Sequence, residues 1–294
     1  MSCSSLAQTF ENFVLFSDAQ LTSHESGYPQ PMINLLGVPL DENSSFLRGP
    51  ALAPRIILEA LRSGSSNLSS ENGFDLGASE NSVWRDAGDL ILPTGPAALE
   101  AIQAGVATIL ERDESVLGLG GDHSVSLPIV RAHAKKFGPL EILHLDAHPD
   151  LYDELDGNRF SHACPFARML EEGLVRRLVQ VGIRTMNPHQ RAQAERFGVE
   201  VIPMRTFDPN LKLEFRGPLY ISLDLDVLDP AFALGVSHHE PGGMSTRELL
   251  KVLHNLEQRP VGADLVEYNP TRDMNGVTAM VAAKLVKELV ALMS

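Results

Sequence analysis

The chain has 294 residues, 44% of them hydrophobic and 21% charged, with a formal net charge of −14. This composition fills the core of a large α/β domain and shows no sign of whole-chain disorder. The acidic balance excludes a basic nucleic-acid footprint and repels anionic lipid, while it suits solubility or the steering of a cation into a site. No apolar run approaches the length of a membrane span, and the first eight residues lack the basic start and apolar core of a secretory signal. The two cysteines, Cys3 and Cys164, cannot build a disulfide framework and fit a reducing compartment. The expected location is cytoplasmic.

Taken in chain order, residues 1–30 read as a tail with one short helix near 6–16, and 31–294 as one domain. The apolar run 33–39, ended by Gly37 and Pro39, predicts a buried strand. A loop over 41–50 leads to a helix over 54–62, with Pro54 in its first turn. The Ser-, Asn- and Gly-rich stretch 63–83 reads as surface loop. Helices are then expected over 96–112, 127–137, 166–178, 190–197, 245–256 and 277–293. Strands are expected over 116–119, 142–145, 179–183, 199–203, 219–223 and 261–266. These strands are apolar without alternation, as when helices cover both faces. The alternation of strand and helix predicts a three-layer α/β/α sandwich around a mostly parallel sheet. In such sheets, sites form at the carboxyl ends of strands.

Three of those strand ends carry the chemistry. Gly120-Gly121-Asp122-His123-Ser124 follows the strand at 116–119, Asp146-Ala147-His148-Pro149-Asp150 follows that at 142–145, and Asp224-Leu225-Asp226-Val227-Leu228-Asp229-Pro230 follows that at 219–223. In extended chain, alternate side chains share one side, so Asp146, His148 and Asp150 converge, as do Asp224 and Asp226. Carboxylates that close repel one another unless a cation or proton lies between them. Burying them uncompensated costs several kcal/mol per ion. Bound metal is the simplest compensation. A mixed His and carboxylate set suits Mn, and also Zn, Fe, Co or Ni. Each Asp taken alone would pass for a helix cap or loop acid, but three clusters on one sheet do not. His144 sits inside an apolar strand, opposite in direction to Leu143 and Leu145, and reads as a satisfied core histidine. Asp122 reads as a brace for a metal-bound histidine.

The three clusters, in this order, resemble the signature motifs of the ureohydrolase family of arginases, agmatinases and formimidoylglutamases: GGDHS, DAHxD and SxDxDxxDP. Glu267, within Val266-Glu267-Tyr268-Asn269-Pro270, is a fourth match. The stretch 146–166 and the phrase 237–243 look most like plant-type arginases. The resemblance implies an arginase/deacetylase-like fold and two divalent metal ions, most simply Mn2+, with Ni2+ or Co2+ as alternatives. It implies that His123, Asp146, Asp150 and Asp224 hold one ion and that His148, Asp146, Asp224 and Asp226 hold the other. A hydroxide shared by the two ions would attack the guanidinium carbon. Glu267 would pair with the guanidinium, Asp150 would hold the nucleophile and pass its proton to the leaving amine, and His162 resembles the family's proton-relay histidine.

Departures from the pattern concern the far end of the substrate. Tyr152 stands where mammalian-type arginases carry an asparagine, Leu234 replaces a usual proline, and His238 replaces a common threonine. Donors to an α-carboxylate are expected from Asn158, Arg159 and Ser161 on the loop before His162, with His238 nearby. The favoured substrate is L-arginine, giving L-ornithine and urea. Agmatine, or guanidine or another guanidino acid, is the alternative, and a catalytically silent binding module would need a lost ligand that this chain does not show. Expected partners are a small cationic guanidino substrate and further copies of the chain in a homotrimer or homohexamer, with no nucleic acid and no membrane.

Overall fold

The structure is a computed structural model that describes residues 31–77 and 82–294. The helix expected near 6–16 lies outside the described residues. Eight strands form one sheet: β1 (Ile33–Val38), β2 (Trp84–Asp89), β3 (Ser115–Gly120), β4 (Leu140–Leu145), β5 (Val175–Ile183), β6 (Glu200–Pro203), β7 (Leu219–Asp224) and β8 (Gly262–Val266). Their order is β2-β1-β3-β8-β7-β4-β5-β6, and every pairing is parallel. The helices are α1 (Ala53–Leu61), α2 (Ala97–Leu110), α3 (Ser126–Phe137), α4 (Pro165–Glu171), α5 (Pro188–Phe197), α6 (Thr246–His254) and α7 (Val277–Met293).

Period-two alternation along the strands divides the interior into two cores. Leu117, Leu119, Leu143, Leu145, Ile221 and Leu223 pack on one face beneath α1, α6 and α7. Val116, Ile142, Leu178 and Tyr220 pack on the other beneath α2, α3 and α4. The three-layer α/β/α sandwich expected from the strand composition is what forms. No helix of the described residues is long and apolar enough to cross a membrane.

Two elements differ from expectation. The helix expected over 166–178 stops at Glu171. Gly173 takes a φ of +67°, which turns the chain out of the helix, and β5 begins at Val175. The strand β2 was not expected, because Trp-Arg-Asp-Ala-Gly-Asp shows neither an apolar run nor alternation. It is an exposed edge strand held by its backbone pairing to β1.

The topology positions the site. Strand β4 follows β3 in sequence but lies three places away, with β8 and β7 between them. All four strands end on one edge, so the loops after β3, β8, β7 and β4 stand side by side. The first of them passes against the 40s loop: Asp122 N donates to Leu40 O at 2.8 Å. A Cβ on Gly121 would fall 1.7 Å from that carbonyl oxygen. Backbone on both sides cannot yield cheaply, so Gly121→Ala is expected to destabilise the fold by about 3 kcal/mol or more. A thermal or urea melt within about 1 kcal/mol of wild type would show that the two loops are not packed this way.

Candidate metal centre and active site

Backbone hydrogen bonds set each functional loop before any side chain acts. Asp122 starts a 3-10 turn by accepting from Ser124 N at 3.0 Å, and its other oxygen accepts from Asn43 N at 3.0 Å. Asp122 therefore ties two loops together and does not brace a histidine ring. Asp224 starts a second such turn by accepting from Asp226 N at 2.8 Å. Asp226 accepts from Ala147 N at 3.1 Å, which joins the β4 and β7 loops. At the end of β8, Glu267 N donates to Gly121 O at 2.9 Å, and Glu267 Oε1 accepts from His123 N at 2.9 Å. Asp150 and Glu267 sit at φ +47° and +64°, a left-handed conformation that few non-glycine residues adopt.

These loops bring the six expected ligands into one buried cluster. His123 Nδ1 lies 3.2 Å from Asp146 Oδ2, 3.1 Å from Asp150 Oδ2 and 3.1 Å from Asp224 Oδ2. Yet this buried nitrogen makes no aligned hydrogen bond. The reason lies on the other side of the ring. Ser222 Oγ donates to Asp264 Oδ1 at 2.7 Å, so at 3.0 Å it accepts from His123 Nε2–H. That arrangement leaves the Nδ1 lone pair facing three carboxylate oxygens, which is repulsive unless a cation sits among them. The donor set fits a metal ion. A second group lies alongside: His148 Nδ1 is 2.9 Å from Asp226 Oδ2 and 3.5 Å from Asp146 Oδ1. The Asp146, His148 and Asp226 ligand atoms are close enough to share one ion, as are those of His123, His144 and Asp146.

The electrostatics carry the same message. Burial, then repulsion from Asp226 and Asp146, holds the Asp224 carboxyl well above its usual range. Asp226 is raised too, by burial and by Asp146, with His148 pulling the other way. Burial pushes His123 and His148 down, but the surrounding aspartates overcome it and hold both well above the usual imidazole range. Raised carboxyls beside raised imidazoles mark a cluster short of positive charge.

Above the cluster lies a cavity of about 170 Å3 lined by His148, Asp150, Asp224, Asp226, His162, His238 and Glu267, with Ser45, Tyr152, Leu155, Ala163, Thr185 and Gln190 around them. A larger groove of about 540 Å3 runs along the β6 edge, but none of the cluster residues lines it. His162 Nδ1 meets Glu267 Oε1 at 3.0 Å, and its Nε2 meets Ser45 Oγ at 2.8 Å. Burial lowers the His162 imidazole, but the hydrogen bond and charge of Glu267, helped by Asp150 and Asp122, raise it to about 9. Burial raises Glu267, and His162 more than offsets it, holding the carboxyl below its usual range. His238 stacks on His162, ring centroids 5.1 Å apart. Burial and the neighbouring His162 hold its imidazole below the usual range.

The expected donors to the far end of the substrate divide. His238 and Glu267 line the cavity, whereas Asn158, Arg159 and Ser161 do not. Asn158 donates to Asn43 Oδ1 at 3.1 Å. Arg159 forks onto Asp153 at 3.0 Å and Glu171 at 2.9 Å. Ser161 Oγ reaches Asn43 O at 3.5 Å. These three brace the loop that carries His162. Ser45, Thr185 and Gln190, which carried no motif signal, line the cavity with Tyr152 instead.

The Arginase family model matches residues 32–291. The chain belongs to the arginase family. Two relatives from Arabidopsis thaliana, "Arginase 1, mitochondrial" and "Arginase 2, chloroplastic/mitochondrial", are 52% and 51% identical over 89% and 88% of this chain and 81% and 80% of theirs. A solved structure, "Arginase from Medicago truncatula", superposes with a TM-score of 0.85 at 46% identity, covering 90% of this chain and 88% of that one. This arginase-family chain is a hydrolase whose His and Asp groups suit a binuclear metal site. The expected cytoplasmic location does not stand, because the Arabidopsis relatives are named for organelles. Two cysteines in 294 residues suit a reducing interior, which is not confined to the cytoplasm.

The His162–Glu267 contact gives this arginase-family site a measurable pH signature. A folded-state value near 9 against 6.5 means that its stabilisation is full below pH 6.5 and lost as pH rises through 9. The effect is on the order of 3 kcal/mol. Metal-free wild type should lose that stability between pH 6.5 and 9 relative to His162→Gln, read from urea melts at stepped pH. Parallel stability curves for the two proteins would remove the contact.

Proposed function

We propose that this chain is an arginase, hydrolysing L-arginine to L-ornithine and urea at a pair of divalent cations. One observation carries the reading: a buried histidine nitrogen with no hydrogen-bond partner faces three carboxylates beneath a cavity lined by Glu267. The 52% identity to a protein named arginase supports arginine as the substrate.

His123, Asp146, Asp150 and Asp224 would hold one ion, and His148, Asp146, Asp224 and Asp226 the other. The ions would lower the pKa of bound water, making it nucleophilic near neutral pH. The protein residues do the rest. Both hydrogen bonds to Glu267 fall on Oε1, so Oε2 is left for the planar guanidinium. Asp150 lies between His123 and the cavity and takes the proton released as water adds to the guanidinium carbon. His162, held protonated by Glu267, supplies a proton to the δ-amine as the C–N bond breaks, and Ser45 links it toward solvent. Gln190, Thr185 and the Tyr152 hydroxyl meet the α-amino and carboxylate end, with His238 closing one side. The oxygen-rich set favours Mn2+, with Ni2+ or Co2+ as competitors. Family membership supports a homotrimer or homohexamer, and the relatives' organelle names support a mitochondrial or chloroplastic location.

The test is urea release from arginine and agmatine after Mn2+ reconstitution, with elemental analysis. The expectation is about two ions per chain, full loss of activity on exhaustive chelation, and a higher kcat/KM for arginine. A higher kcat/KM for agmatine would overturn the arginase assignment. Glu267→Gln keeps the size and removes the charge. It should leave metal content intact and lower kcat/KM by about 2–4 kcal/mol of transition-state stabilisation. Near-wild-type turnover would make Glu267 a loop-holding residue only.

A further inference from the structure

Beneath the candidate metal cluster runs a row of buried polar side chains, of which only Ser222 belongs to a motif. Asp264 on β8 is in register with Ser222 on β7, Ser222 with His144 on β4, and His144 with Gln180 on β5. All four are fully buried. The apolar sheet is thus crossed by one polar rung, one pleat below the ligand loops.

At its β5 end, the rung reaches two ligands at once. Gln180 Nε2 donates to Pro149 O at 2.6 Å and to His144 Nδ1 at 3.0 Å. A carbonyl can only accept, so the Gln180 amide cannot be turned the other way. His144 Nδ1 is therefore an acceptor, its proton sits on Nε2, and Nε2 donates to Asp146 Oδ2 at 2.7 Å. The ring is held flat against Phe166, with centroids 3.9 Å apart. Pro149 leads directly into Asp150, whose backbone is in the left-handed region. The arrangement also carries a cost: Gln180 Oε1 is buried with no partner among the described residues. An apolar side chain there would avoid the cost, so the amide donors serve something other than packing.

We propose that Gln180 and His144 are positioning residues that set the affinity of the centre for its cations, one amide fixing both the Asp146 carboxylate and the backbone leading into Asp150. His144 lies within ligand distance of His123 and Asp146, but its protonated Nε2 is committed to the carboxylate and cannot bind an ion. This inference rests on the metal reading above.

The experiment measures Mn2+ affinity by chelator competition, and the melting temperature of the metal-free protein, for wild type, Gln180→Leu, His144→Phe and His144→Gln. Gln180→Leu should keep or raise the metal-free melting temperature and weaken Mn2+ binding by about 10–100-fold. His144→Phe should weaken binding similarly, because it keeps the stack on Phe166 and loses the donor. His144→Gln, whose amide nitrogen falls near the position of Nε2, should recover part of the loss. Wild-type affinity in both Gln180→Leu and His144→Phe would overturn the proposal. So would a loss matched by an equal fall in metal-free stability, or a His144→Gln variant as weak as His144→Phe. A wild-type chain that takes up no Mn2+ would overturn the metal reading and this proposal together, whereas normal uptake by wild type and variants alike removes the proposal alone.

Discussion

Four aspartates buried at one end of a parallel sheet impose the constraint on which the rest of this structure depends. Asp146, Asp150, Asp224 and Asp226 are all nearly inaccessible to water, and four like charges at this spacing cannot persist without positive charge among them. Among the described residues, no lysine or arginine forms an ion pair with these four carboxylates. The fold aims backbone N–H groups and histidine rings at the carboxylates and leaves the centre of the cluster to a cation. The left-handed backbone at Asp150 and Glu267, the 3-10 turns at Asp122 and Asp224, and the ties between neighbouring loops all hold acceptors in place against that repulsion. The same negative field suits a guanidinium substrate, whose charge is complementary to the site that cleaves it.

Most of the fold was legible in the sequence because strands buried on both faces write a continuous apolar run. The candidate ligands stand out for a related reason: an aspartate or histidine at the carboxyl end of such a run has no packing role. The edge strand β2 escaped notice because it buries almost nothing. The helix α4 was read too long because its apolar residues continue into β5, and Gly173 alone marks the break.

What stayed hidden depends on register between strands. Asp264 and Gln180 look unremarkable along the chain, and only the order β8-β7-β4-β5 lines them up with Ser222 and His144 beneath the candidate ligands. His144 was legible in part. It is buried and satisfied, as a core histidine should be, but its partners are a metal-site aspartate and a glutamine from the adjacent strand. The residues lining the far side of the cavity were the least legible. Arg159 has the chemistry to hold a carboxylate, yet two local acids claim it, while Gln190 faces the cavity from a helix with no motif of its own.

The position of β8 governs how the molecule comes into being. It is the last strand in the chain, yet it lies in the middle of the sheet, between β3 and β7. While the chain is being synthesised, β3 and β7 must each wait with an unpaired edge, and His123 waits for the Glu267 carboxylate that receives its backbone N–H. Contacts so distant in sequence form slowly and leave apolar strands open to wrong partners. The contact between His123 and Glu267, and the side-by-side loops of β3 and β7, therefore come into register only once β8 has inserted between those strands.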